Sequence, residues 1–238
     1  MPTSLPTSRD GLVVAIDGPS GSGKSSVSRA VARSLGVGFL DTGAMYRAVA
    51  WWCLDQGIDL DDRAAVASAA ERLPLVLATD PEATSVAVGG TDVTAAIRES
   101  RISTEVSRVA TNRAVRQILV RRQQRLIADT SAQWGGCVAE GRDMTTVVAP
   151  DADVRVLLTA SVEARLARRA TELHGAADPA SVEATRDQVV RRDDDDSTVS
   201  DFLTAADGVV TVDTSHLDFA ESVAAVLRVV QEVAGARS

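Results

Sequence analysis

Gly18-Pro19-Ser20-Gly21-Ser22-Gly23-Lys24-Ser25 constrains this chain more than any other segment. It matches G-x-x-x-x-G-K-[ST] completely and follows a continuous apolar run at residues 12–16. Such a run bounded by glycines reads as a strand buried on both faces of a parallel sheet. Beyond the motif, Val27, Ala30, Val31 and Leu35 fall at helical spacing, with Gly36 at the expected helix end. Glycines let the backbone curl until successive N–H groups face one anion, and the helix N-terminus adds partial positive charge. Strand, loop and helix together imply a nucleotide-phosphate cradle comprising Gly18, Pro19, Ser20, Gly21, Ser22, Gly23, Lys24, Ser25 and the adjoining Ser26. In that cradle Lys24 reaches the β- and γ-phosphates and Ser25 holds Mg²⁺.

The alternation continues. Apolar runs at 39–40, 136–139, 154–158 and 209–212 read as further buried strands, with helices from Thr42 to about 57, at 161–173 and at 216–233. This predicts an α/β fold of the phosphate-loop NTPase type, a doubly wound parallel sheet of about five strands with two insertions. The first insertion, about 70–105, carries short antiparallel β at 75–77 and 84–88, and residues 103–130 read as one long helix. The second, about 175–203, is polar and charged, and Asp193–Asp196 beside Arg191-Arg192 favours a lid. Residues 1–10 read as a disordered tail and 11–238 as one domain.

With 238 residues and a net charge of −8, the chain has a sizeable core but no broad basic face for nucleic acid. Cys53 and Cys137 lack disulfide or zinc spacing and read as small core hydrophobes, as do Trp51 and Trp52. No apolar run spans a bilayer and the N-terminal segment is not signal-like, so a cytoplasmic, membrane-free monomer is expected.

Switches, transporters and kinases share this loop, so other residues must say what the nucleotide is for. A guanine-reading Asn-Lys-x-Asp is missing, because the one asparagine is Asn112, followed by Arg113. Arg47 and Arg142 follow strands where ligands of such sheets bind, and guanidinium forks grip phosphate bidentately. A second phosphorylated ligand is implied. Its phosphate oxygen is already anionic, so transfer to it needs alignment and charge neutralisation rather than a general base.

Four blocks, Asp17-Gly18-Pro19-Ser20-Gly21, Asp41-Thr42-Gly43-Ala44-Met45-Tyr46-Arg47, Gly141-Arg142-Asp143-Met144 and Arg192-Asp193-x-x-Asp196-Ser197, resemble the bacterial cytidylate kinases. Gly90-x-Asp92-Val93-Thr94 before Ile97-Arg98 looks like that family's nucleotide-binding insertion. The resemblance implies phosphoryl transfer from ATP, with Mg²⁺, to CMP or dCMP. It implies that Arg47, Arg142 and Arg192 grip the acceptor phosphate, with Lys24, Arg142 and Arg192 catalytic. Ser107, Arg116 and Asp143 would read cytosine, Asp196 the sugar, and Arg165 with Arg168 or Arg169 the ATP phosphates. Asp41, Thr42 and Tyr46 belong to the implied acceptor site through their block. One departure stands out: the family pattern continues Asp-Ser-x-Arg, whereas Val199 follows Ser197-Thr198 here. Arg186 and Arg191 are the candidates for the missing charge.

Overall fold

The computed structural model describes residues 11–175 and 178–235; the side chains of 172–174, 179, 184 and 187–192 lie outside that description, as does the expected tail at 1–10. Five strands, β1 (Leu12–Asp17), β2 (Gly38–Asp41), β6 (Gly136–Gly141), β7 (Val154–Thr159) and β8 (Val210–Asp213), form one sheet. Its order is β2-β6-β1-β7-β8, every pairing is parallel, and β1 sits at the centre. The apolar runs predict these strands because a parallel sheet is covered on both faces. Val14 and Ile16 pack on one side with Val27 and Val31 of α1 (Lys24–Leu35) and Val226 and Val230 of α8 (Phe219–Gly235). On the other side Ala15, Cys137 and Ala139 meet Ile127 of α5 (Arg113–Trp134).

Between β2 and β6 the chain adds α2 (Thr42–Asp55) and α3 (Arg63–Arg72), then an antiparallel sheet of β3 (Leu75–Leu77), β4 (Val86–Val88) and β5 (Thr91–Asp92). The helix expected over 103–130 is two helices, α4 (Ser100–Ala110) and α5, divided at Thr111-Asn112. Asn112 ends the continuity because its side chain accepts hydrogen bonds from the Ala114 and Val115 N–H groups, capping α5. The α2, α3, α4 and α5 helices share a core of their own through Met45, Val49, Ile102, Val109 and Leu119. Trp51 and Trp52 are half-buried at its margin. Cys53 and Cys137 are buried free thiols, and burial pushes them up to about 11 and about 12. After α6 (Val162–His174), the polar second insertion is largely helix, α7 (Pro179–Ser197), started by the Asp178 side chain. No helix among the described residues is long and apolar enough to cross a membrane.

Candidate active site

The phosphate loop leaves β1, and Gly23 stands at the N-cap of α1 with φ +84°. Gly21, at φ +75°, passes so close to α6 that an added Cβ would lie 2.7 Å from the Arg165 carbonyl oxygen. A side chain there would be strained twice over, by conformation and by contact.

Glu140, which sequence reasoning did not single out, is the hub of this loop. It ends β6 beside β1, is 3% exposed, and accepts a 2.6 Å hydrogen bond from the Ser25 hydroxyl while its other oxygen lies 3.3 Å from Lys24 Nζ. Burial opposes its ionisation, yet Lys24 and Ser25 outweigh burial and hold its carboxyl below the usual range. The signal was a carboxylate within an apolar strand, next to Gly141-Arg142-Asp143. Asp41, at the same level on β2, caps α2 through Ala44 N–H at 2.9 Å and pairs with Arg98 at 3.3 Å. Burial first, and the Glu140 charge second, push Asp41 up to about 6. Asp17, buried at the end of β1, accepts from the Met144 and Thr145 N–H groups and the Thr145 hydroxyl at 2.7–2.9 Å, fixing the chain just past Asp143.

Lys24, Arg47, Arg98, Arg142 and Arg169 border one cavity of about 230 Å³, against the carboxylates Asp41 and Glu140. Five cations against two anions suit a polyanion. Thr42 donates to the Glu140 carbonyl at 2.7 Å, and Arg47 is aimed by hydrogen bonds to Ser103 Oγ at 2.8 Å and the Ile97 carbonyl at 3.1 Å. Arg142 donates to the Gly18 carbonyl at 2.5 Å, pairs with Asp196 at 3.1 Å and Asp193 at 3.3 Å, and lies 4.4 Å over the Phe202 ring. These contacts dock the end of α7 onto the loop. Asp193 extends the docking, accepting from Ser20 N–H at 2.9 Å and pairing with buried Arg165, which also donates to the Ser20 carbonyl at 3.0 Å.

Arg168 and Arg169 separate by direction. Arg168 braces the loop from behind, bonding the Ser22, Thr214 and Leu217 carbonyls, whereas Arg169 borders the cavity. Arg192 lies on α7, its side chain outside the described residues. Arg186 is taken by Glu183 at 3.0 Å.

Next to Arg142 in the chain, Asp143 is 4% exposed and pairs with Arg116 at 2.5 Å. Burial holds the Asp143 carboxyl up, and Arg116 pulls against it. Tyr46 is buried on α2, and its ionisation is opposed first by burial and next by the Asp143 charge, with Arg116 pulling the other way. Ser107 is buried on α4. Val199 faces Arg113 and Arg116 across a cavity of about 340 Å³ where α7 ends near the start of α5.

A central-strand phosphate loop, a carboxylate on the neighbouring strand and a cation-lined cavity beneath inserted segments define a phosphate-loop kinase. The family follows from the whole chain: the protein-family model for cytidylate kinase matches residues 14–232. The chain belongs to the cytidylate kinase family. A cytidylate kinase of Streptomyces avermitilis is 45% identical over 95% of this chain and 95% of its own length. One from Cutibacterium acnes is 48% identical over 92% of this chain and 96% of its own.

Proposed function

We propose that the chain transfers the γ-phosphoryl group of ATP to CMP or dCMP, giving ADP and the pyrimidine diphosphate. The observation that carries this reading is the buried Arg116–Asp143 pair, whose carboxylate follows directly on Arg142, a residue bordering the cation-lined cavity. A buried carboxylate beside a guanidinium can accept a hydrogen bond from the 4-amino group of cytosine while the arginine donates to the ring carbonyl. Uracil presents an oxygen where cytosine has the amino group, leaving Asp143 facing a repelling acceptor. The similar cytidylate kinases of Streptomyces avermitilis and Cutibacterium acnes support this choice of base.

Lys24 and the loop amides hold the donor phosphates, while Arg47, Arg142 and Arg192 orient the acceptor phosphate in line with them. Asp196, now paired with Arg142, would turn to the sugar hydroxyls, and Asp41, Thr42 and Tyr46 complete the acceptor wall. Arg165 and Arg169 serve the donor side. The Ser25 hydroxyl and the Glu140 carboxylate are hard oxygen donors held together at 2.6 Å, which fits Mg²⁺. When bound, the ion neutralises phosphate charge. Residues 70–105 act as the acceptor-binding insertion and 175–203 as the lid, in a monomeric cytoplasmic enzyme. A coupled assay of ADP release, run with ATP and each nucleoside monophosphate in turn, tests the reading. CMP and dCMP should be the best acceptors, UMP poor, AMP and GMP poorer; equal rates with all five would overturn it.

A further inference from the structure

A second cavity, of about 330 Å³, adjoins the phosphate site, with Ser25, Ser26, Asp41 and Arg98 common to both. It occupies the seam between α1, β2 and the inserted antiparallel sheet. Three contacts tie that seam: Phe39 N–H donates to the Thr79 carbonyl at 2.8 Å, Arg33 Nε donates to the Pro81 carbonyl at 3.0 Å, and the Arg33 guanidinium meets Glu82 at 3.1 Å. The space is therefore a fixed gap between joined elements, and its size falls at the lower end of small-molecule sites, roughly 300–1,000 Å³.

Two cations border it. Arg29, on α1, is partly buried, and its guanidinium has no hydrogen-bond or ion-pair partner among the described residues. Arg98 borders this gap and the phosphate cavity alike, with its side chain 58% exposed and, among the described residues, a 3.3 Å pair with Asp41 as its carboxylate contact. Phe39 and Leu40 of β2, with Leu77 and Val86 of the insertion, supply apolar surface. The exposed Ser85 stands at the rim. None of this apolar surface, nor Arg29, takes part in the transfer proposed above.

The lining discriminates among ligand classes. A metal ion is disfavoured because Asp41 is the one carboxylate among two guanidinium groups. A bare inorganic anion could pair with the arginines but would leave the apolar surface wet. An anion with a flat apolar body satisfies both, its head forked by the guanidinium groups and its ring laid on Phe39, Leu40, Leu77 and Val86. We propose that this cavity is a second binding site, for a small organic anion with a phosphate or carboxylate head on a ring-sized apolar body.

The test is an amide NMR titration of the full chain, with ADP saturating the phosphate loop and phenyl phosphate, benzoate or inorganic phosphate added. Phenyl phosphate or benzoate should shift the amides of Arg29, Leu77 and Ser85 saturably, and inorganic phosphate should not. Arg29→Gln should weaken that binding at least tenfold, and Ser85→Glu, at an exposed position that does not threaten folding, should weaken it similarly by repulsion. Shifts confined to residues 18–25, or cavity shifts of undiminished affinity in the two variants, would overturn the proposal.

Discussion

The carboxylate of Glu140 stands 3.3 Å from the ammonium of Lys24, both largely buried, with Ser25 bonded to the same carboxylate. The pair couples the phosphate loop to the neighbouring strand. Lys24→Met should nearly abolish transfer and, because it leaves a buried carboxylate without its cation, lower unfolding stability by about 3 kcal/mol. Circular dichroism should still show the native spectrum, with a reduced melting temperature. A folded variant that kept most of its kcat would remove Lys24 from the chemistry.

Glu140→Gln preserves shape but not charge. If Glu140 helps Ser25 hold Mg²⁺, kcat/KM should fall at least about a hundredfold, corresponding to roughly 3 kcal/mol of lost transition-state stabilisation. The Mg²⁺ concentration needed for half-maximal rate should rise, and an unchanged requirement would assign Glu140 to the loop's structure alone.

Asp143 is expected to set the choice between cytosine and uracil. A charge-assisted hydrogen bond contributes about 1.5–3 kcal/mol, so Asp143→Ala should shrink the CMP-to-UMP ratio of kcat/KM by about tenfold or more. Arg116→Met should reduce turnover of both bases, since it strands Asp143 in a buried site. An unaltered ratio in Asp143→Ala would exclude that residue from base reading.

Asp41 carries a pH dependence. Its pKa is raised to about 6 by burial and by Glu140. A raised carboxyl pKa means that the protonated form is favoured on folding, so the stability associated with it is present at low pH and lost as pH rises through about 6. Asp41→Asn, which keeps the cap on α2, should therefore be more stable than the parent at pH 8, by at most about 3 kcal/mol. The advantage should fade towards pH 4. Thermal melts at the two pH values check it, and a gain confined to low pH would reverse the sign and refute the argument.

The resemblance to the cytidylate kinases implies a lid arginine at the position of Val199, and Arg186 is paired with Glu183. Across the cavity from Val199 lie Arg113 and Arg116. A new arginine there would meet the Arg113 charge, with Arg116 already paired to Asp143 and Asp201 the carboxylate on the same lining, so Val199→Arg should raise kcat/KM for CMP by less than the about ten- to hundredfold expected of an unopposed contact. The gain should be larger in an Arg113→Ala background. Equal gains in both backgrounds would show that Arg113 does not oppose the added charge.

Local pattern determined much of this protein. The glycine loop between an apolar run and a helical stripe specified β1, the phosphate cradle and α1, because hydrophobic period and glycine freedom act over a few residues. The remaining apolar runs likewise marked the strands of a covered parallel sheet, and Arg47 and Arg142 stood out in the segments that follow strands, whereas Asp143 was named only through the resemblance to the cytidylate kinases. What sequence alone left open depended on pairing across distance. Glu140 is remote in the chain from Lys24 and Ser25, and only the β1–β6 register brings it to them. Arg165 and Arg168 read alike as helix arginines, yet docking of α6 buries one against Asp193 and points the other at the Thr214 carbonyl. The division of the 103–130 helix rested on one asparagine side chain, whose cap competes with helix continuation. The arrangement of α1, β2 and the insertion around Arg29 was likewise invisible, since a cavity is defined by elements that meet only after the chain has folded.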